Sequence, residues 1–181
     1  MTAAYFPEVR CWRIPDSALA LSLTEMARDG RAGNEGVALW LGQREAGEAA
    51  ITHVVALRGP GVIKRPAFLC IEPWLLNEVT DAAIAHSVTL IGQIHSHGPG
   101  LSTDLSYTDR QGGLAVPHYL SVVAPDYALR PGIRIEACGL HEFVPKRGYA
   151  RLTATDVSRR VGVVAGGSVV LLTVGADADG R

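Results

Sequence analysis

The chain has 181 residues, a length that fits one domain and leaves little room for a second. Hydrophobic residues make up 48% and charged residues 19%, a balance that excludes intrinsic disorder. Seventeen basic against eighteen acidic residues leave a net charge of -1, so no general attraction to nucleic acid or to an anionic membrane follows.

Residues 5–14 mix aromatic and β-branched side chains and read as an edge strand. Asp16 or Ser17 then caps a helix, because a side-chain oxygen satisfies the free amides of its first turn. Leu19, Leu21, Leu23 and Met26 form its apolar side, and it ends at Asp29-Gly30. Residues 35–42 read as a buried strand closed by a glycine. Residues 49–57 read as a second strand, antiparallel to the first across a short charged connection. Residues 58–66 are a Pro/Gly/basic loop. Pro73 opens a helix that runs to about His86, with Trp74, Leu75, Val79, Ala82, Ala83 and Ile84 as its apolar stripe. Residues 88–96 form a third strand and 98–105 a Gly/Pro/Ser loop. Ser106 caps a short helix through Gln111, ended by Gly112-Gly113. Residues 115–124 and 132–145 read as two further strands. Thr155 or Asp156 begins a helix over 155–162, and 169–174 is a last strand. A frayed tail is expected over 176–181.

These elements favour an α+β fold over a doubly wound parallel sheet. One domain is expected over residues 1–175, with a mixed, mainly antiparallel sheet flanked by helices. The longest apolar stretch, 161–174, is too short to span a bilayer, which takes about 20 residues. Residues 1–17 lack a basic start followed by an apolar run, so no secretory leader is expected. Cys11, Cys70 and Cys138 are widely spaced and form no CxxC. That argues against a disulfide scaffold and a cysteine zinc site, and for reduced thiols in the cytoplasm. Cys70, Cys138, Trp40 and Trp74 read as core. Arg58, Lys64 and Arg65 read as a solvated loop.

The stretch 91–112 carries the chemistry. His95 and His97 are two apart on a strand, so both imidazoles project from one sheet face and can reach one ion. Asp109 follows in a short helix, with Ser106 one turn before it on the same helix face. Two histidines and a carboxylate match the ligand set of a catalytic zinc with an open position. Asp104 is a rival third ligand and Ser102 a rival to Ser106, since both lie in the same loop. A hydrolytic site also needs a base, and Glu35, opening an apolar strand, is the candidate. His53, His86, His118 and His141 have no partner at ligand spacing on their own elements and read as non-ligands.

This combination of Glu35, His95-Ser96-His97 and Ser106-Tyr107-Thr108-Asp109 resembles the JAMM (MPN+) zinc metallopeptidase family. The family's glutamate strand often reads Glu-x-x-Gly-x-x-x-Gly; here Glu35 and Gly42 keep that spacing, with Ala38 at the middle glycine. The family has proline directly after the second histidine. This chain reads His97-Gly98-Pro99-Gly100, and removing Gly98 restores both the proline and the distance to Ser-x-x-Asp. The resemblance covers roughly residues 15–145 and is nearest to small bacterial members that act on ubiquitin-like proteins, some in anti-phage defence. It implies a cytidine-deaminase-like core around one Zn2+ per chain, held by His95, His97 and Asp109. It implies Glu35 as the group that deprotonates the attacking water and Ser106 as a stabiliser of the oxyanion. The implied partner is a ubiquitin-like modifier or its conjugates, cut after the modifier's C-terminus, with the 58–66 and 98–105 loops as groove walls. A metal-free scaffold and a zinc hydrolase acting on a small amide are the alternatives. Nothing in the sequence sets an oligomeric state.

Overall fold

The computed structural model describes residues 8–175. A mixed nine-stranded sheet is the spine of these residues. In chain order they form β1 (Cys11–Pro15), α1 (Asp16–Gly30), β2 (Val37–Glu45), β3 (Glu48–Leu57), β4 (Val62–Arg65), β5 (Phe68–Ile71), α2 (Pro73–Ala85) and β6 (Thr89–Ser96). There follow α3 (Tyr107–Gly112), β7 (Leu120–Ala124), β8 (Gly139–Val144), β9 (Gly148–Arg151), α4 (Ala154–Arg160), β10 (Val161–Val164) and β11 (Val170–Val174). The strand order is β10-β1-β3-β2-β6-β7-β8-β9, with β11 also pairing β3; β4 and β5 form a separate hairpin. The expected antiparallel pairing of β2 with β3 is present. The expected tail over 176–181 and the start of the first predicted strand lie outside the described residues.

β2 is apolar at successive positions because both of its faces are covered. Ala38 and Trp40 join Trp12, Ile14, Met26, Ile94 and Leu120 in a core beneath α1. Val37, Leu39 and Leu41 join Val55, Leu57, Leu75, Val79 and Ala83 in a second core beneath α2. This is the period-two alternation of a strand, with apolar side chains in both sets. The indole Nε1 of Trp40 donates to the Ser22 hydroxyl at 2.9 Å, and that hydroxyl donates to the Ala18 carbonyl at 2.7 Å, so neither polar group is orphaned. Gly42 has a packing reason: a Cβ there would overlap the Ala50 carbonyl across the ladder.

Several expectations are corrected. The main sheet is mixed but not mainly antiparallel, since four of its eight pairings are parallel, and β1 is not an edge strand, because β10 pairs beside it in parallel. The helix expected over 155–162 stops at Arg160, where β10 begins. The 58–66 segment is not all loop, since it contributes β4 to the β4–β5 hairpin. Only Leu120–Ala124 of 115–124 is strand, and 132–145 contains a 3-10 turn (Ile135–Ala137) before β8. β9 pairs β8 and was not expected. Trp74 and Ile84 are 44% and 70% exposed, so the buried side of α2 is Leu75, Val79 and Ala83. Cys138 is buried as expected, whereas Cys70 is half-buried. Among the described residues no helix is long and apolar enough to cross a membrane.

Candidate metal centre

β6 lies inside the sheet, antiparallel to β2 on one side and parallel to β7 on the other. The parallel β6–β7 pair ends together, and open α/β sheets commonly bind ligands beyond the carboxyl ends of such strands. His95 pairs with Val37 across the ladder, so it faces the side of the sheet covered by α2. His97 lies just past β6, and its amide extends the ladder by donating to the Ala124 carbonyl at 2.9 Å.

The third group comes from α3. Ser106 is its N-cap, and the two halves of a capping box are present: the Ser106 hydroxyl accepts from the Asp109 amide at 3.1 Å, and Asp109 Oδ2 accepts from the Ser106 amide at 2.7 Å. The box holds the Asp109 carboxylate at the start of the helix, against the histidines. Asp109 Oδ2 lies 3.2 Å from His97 Nε2 and 3.6 Å from His95 Nε2. The possible ligand atoms of His95, His97 and Asp109 all lie within 4.8 Å of one another.

Two features show that these side chains fit a metal. Both ring nitrogens of His95 are buried and lack a hydrogen-bond partner, an arrangement that costs about 1–3 kcal/mol per orphaned group unless something binds there. His97 is oriented by its other nitrogen: Nδ1 donates to the Ser102 carbonyl at 2.6 Å, which leaves the Nε2 lone pair for the site. Two imidazoles and a carboxylate are a donor set suited to zinc.

Glu35 reaches this group through the backbone. Strand β2 begins two residues later than the sequence suggests, at Val37, and Glu35 sits in the segment leading into it. The Gly36 amide donates to the Ser96 hydroxyl at 3.0 Å, and the Ser96 amide donates to the Gly36 carbonyl at 3.0 Å. This reciprocal pair ties residues 60 apart and sets Glu35 beside the histidines. The Glu35 amide donates to the Arg65 carbonyl at 3.0 Å, so the β4–β5 hairpin holds the same segment from outside. Glu35 is only 4% exposed. Burial pushes its carboxyl up to about 7, with His97 pulling it down and Asp109 pushing it further up. Burial also pushes the Asp109 carboxyl up, but the imidazoles of His95 and His97 beside it and the hydrogen bond from the Ser106 amide outweigh it and hold Asp109 well below the usual carboxylate range. His97 is pulled down by burial and raised by more through Asp109, Ser102 and Glu35.

The rivals are separated by position. Asp104 is bonded to Arg151 and to the Ser102 hydroxyl, and its Oδ1 lies 3.7 Å from His141 Nε2. Asp109, not Asp104, joins the histidines. Ser102 takes part through its carbonyl rather than its hydroxyl. The Ser106 hydroxyl is engaged by the Asp109 amide and the Thr108 hydroxyl. Ser96, which the sequence motif includes without a task, is the residue whose hydrogen bonds tie the Glu35 segment to the histidine strand. Its signal was a hydroxyl residue enclosed between two candidate ligands on a buried strand. A cavity of about 580 Å3 lies on the other face of the sheet, lined among others by Leu19, Ile135, Cys138, Leu140 and Val157, and contains none of the site residues.

No family model matches the chain, and no curated protein matches it. Among solved structures the chain is similar to the solution structure of protein DSY2949 from Desulfitobacterium hafniense, a structural-genomics target. The TM-score is 0.59 at 14% identity, over 87% of this chain and 94% of that one. At that identity the likeness concerns the fold alone.

Proposed function

We propose that the chain is a zinc-dependent peptidase or isopeptidase of the JAMM (MPN+) type, with a single cytidine-deaminase-like domain, that cleaves after the C-terminus of a ubiquitin-like protein. The observation that carries this reading is the convergence of His95, His97 and Asp109 beside the buried carboxyl of Glu35. In the reading, Nε2 of both histidines and a carboxylate oxygen of Asp109 hold one zinc ion. Zinc, when bound, supplies a Lewis acid that brings the pKa of a water to about 7 and polarises a scissile carbonyl.

The remaining steps belong to the chain. Glu35 accepts a proton from the attacking water and passes it to the leaving amine; a carboxyl raised to about 7 suits proton exchange near neutral pH. Asp109 stays ionised and keeps His95 and His97 aligned. Ser106 stands at the mouth of the site as a donor to the developing oxyanion. An extended modifier tail lies between the β4–β5 hairpin and the 98–105 loop. The free cysteines accord with work in the cytoplasm.

The test is hydrolysis of linear fusions and isopeptide conjugates of ubiquitin-like proteins by the zinc-loaded wild type and by Glu35→Gln. The expected result is cleavage after the modifier's last residue, lowered about 10²- to 10⁴-fold in the variant with zinc content unchanged. A zinc-loaded wild type that leaves every such substrate intact, or a variant that cuts at the wild-type rate, overturns the reading.

A further inference from the structure

The β4–β5 hairpin is held along its strands by the Lys64–Asp29 ion pair at 2.8 Å and by Val62, Leu69 and Ile71 against the second core, and at its tip by two backbone carbonyls. The Arg65 carbonyl accepts from the Glu35 amide at 3.0 Å. The next carbonyl, that of Pro66, accepts from the Tyr127 hydroxyl at 2.8 Å. Tyr127 also reaches the metal centre, because its amide donates to the His97 carbonyl at 2.7 Å. One tyrosine thus links the end of the histidine strand to the hairpin that holds Glu35.

The surrounding chain is shaped to admit it. Asp126, Tyr127 and Ala128 have φ values of 56°, 53° and 58°, a left-handed run of three non-glycine residues. Such runs are disfavoured because Cβ crowds the carbonyl, and backbone strain of this kind gathers at functional sites. The turn sets the Tyr127 backbone against Gly30 and its ring against Gly98. A Cβ on Gly98 would come within 2.9 Å of Tyr127 Cζ and of its hydroxyl oxygen. A Cβ on Gly30 would come within 2.9 Å of Tyr127 Cβ and would overlap its carbonyl. Gly98 is the residue by which this loop departs from the His-Pro order, and its missing side chain is what leaves room for the tyrosine.

We propose that Tyr127 is a positioning residue: through the Pro66 carbonyl it fixes the hairpin, and through the hairpin it fixes the backbone of Glu35 relative to His97. Its bearing on hydrolysis rests on the reading of Glu35 given above; the linkage itself does not. Without the Tyr127 hydroxyl the hairpin's tip loses one of its two ties, so the Glu35 amide pairs with a less firmly held acceptor, while the Lys64–Asp29 pair still holds the strands and the ladder that positions His95 is untouched.

Tyr127→Phe keeps the ring and the hydrogen bond from its amide to the His97 carbonyl and removes only the hydroxyl. Residue-resolved amide hydrogen exchange on the metal-free full chain reads the result. The expected outcome is exchange about 2- to 12-fold faster at Glu35 and through 62–71, the range for one lost hydrogen bond, with the amides of β6 unchanged. Gly98→Ala, which pushes on the ring from the other side, is expected to give the same local signature. Unchanged exchange at Glu35 in both variants overturns the proposal, and so does uniform acceleration across the sheet, which would make the tyrosine only a fold-stabilising residue. Zinc content and cleavage of the fusion substrates are measured alongside. A loss of cleavage in Tyr127→Phe at full zinc content supports the proposal. A wild type that never cleaves overturns the proposed function and leaves the exchange result to judge the linkage.

Discussion

Ser96→Ala probes the join that brings Glu35 to the histidines. Ser96 is fully buried, and its hydroxyl is the acceptor for the Gly36 amide at 3.0 Å. Alanine leaves the other half of the pair intact, because the Ser96 amide still donates to the Gly36 carbonyl. It strips the Gly36 amide of its acceptor where water has little room: a Cβ on Gly36 would lie 2.6 Å from Met26 Cα, so α1 packs directly on this segment. A buried donor left unpaired costs about 1–3 kcal/mol, and the small volume removed adds little. For a domain of this size that is a fall in Tm of about 2–4 °C per kcal/mol. Urea denaturation near neutral pH in the presence of a chelator measures the loss without contribution from bound metal. Ser96→Cys, which is slightly larger than serine and offers a weak acceptor, is expected to fall between wild type and alanine. Zinc stoichiometry is expected to stay at the wild-type value, because no ligand is touched. A loss below about 0.5 kcal/mol, the range of ordinary surface substitutions, would refute the reasoning: the Gly36 amide would have found another acceptor, and the Ser96–Gly36 pair would not be what holds Glu35 in place.

Metal loading, read by elemental mass spectrometry, is expected to give about one zinc per chain in the wild type, none in His97→Ala or Asp109→Ala, and the wild-type value in Asp104→Ala. Zinc retained by Asp109→Ala and lost by Asp104→Ala would reverse the ligand assignment. Burial pulls His141 down from 6.5 to about 4, so the unfolded chain takes up a proton below pH 6.5 that the folded chain refuses until about 4. Stability is therefore expected to fall by up to about 3 kcal/mol as pH drops through that window, and His141→Gln to remove this share of the slope; an unchanged slope in urea denaturation would count against it. Glu35 has the opposite sign in the metal-free protein. Burial raises it from 4.5 to about 7, so the folded chain keeps a proton the unfolded chain releases, and stability falls as pH rises between those values. Glu35→Gln is expected to be more stable than wild type at pH 8 by about 1–3 kcal/mol and to lose that advantage near pH 4; equal urea midpoints at pH 8 would rule this out.

The fold was legible where a segment announces itself locally. Both helices α1 and α2, the β2–β3 hairpin and β6 carry their own apolar runs and their own punctuation, and each begins and ends within a few residues of its expected place. β1 was misplaced at an edge because its neighbour β10 comes from about Val161, in a stretch that reads as the end of a helix. No periodicity in either segment records that partnership. The β4–β5 hairpin was hidden by the proline and glycines around it and by side chains that are only half-buried, so it lacks the alternation of a strand on a core. Trp74 was drawn into the core by composition. The helical angle runs from Leu75 to Val79 to Ala83, and Trp74 lies off that line, where it covers Gly61 instead.

The candidate site divides in the same way. His95 and His97 are legible because a strand puts every second residue on one face, and Asp109 because a capping box ties it to Ser106 within four residues. What joins these pieces is not legible. Glu35 is set by Ser96, by Arg65 and by a hairpin that Tyr127 holds, all contacts between segments distant in the chain and several of them through backbone atoms common to any residue. A motif therefore reports which atoms can bind and react, and the ladder and loop contacts decide how those atoms face one another. Gly98 shows the boundary. In the sequence it is one residue too many before a proline. Against the ring of Tyr127 it is the position where any side chain would collide, and the extra residue becomes part of how the site is held.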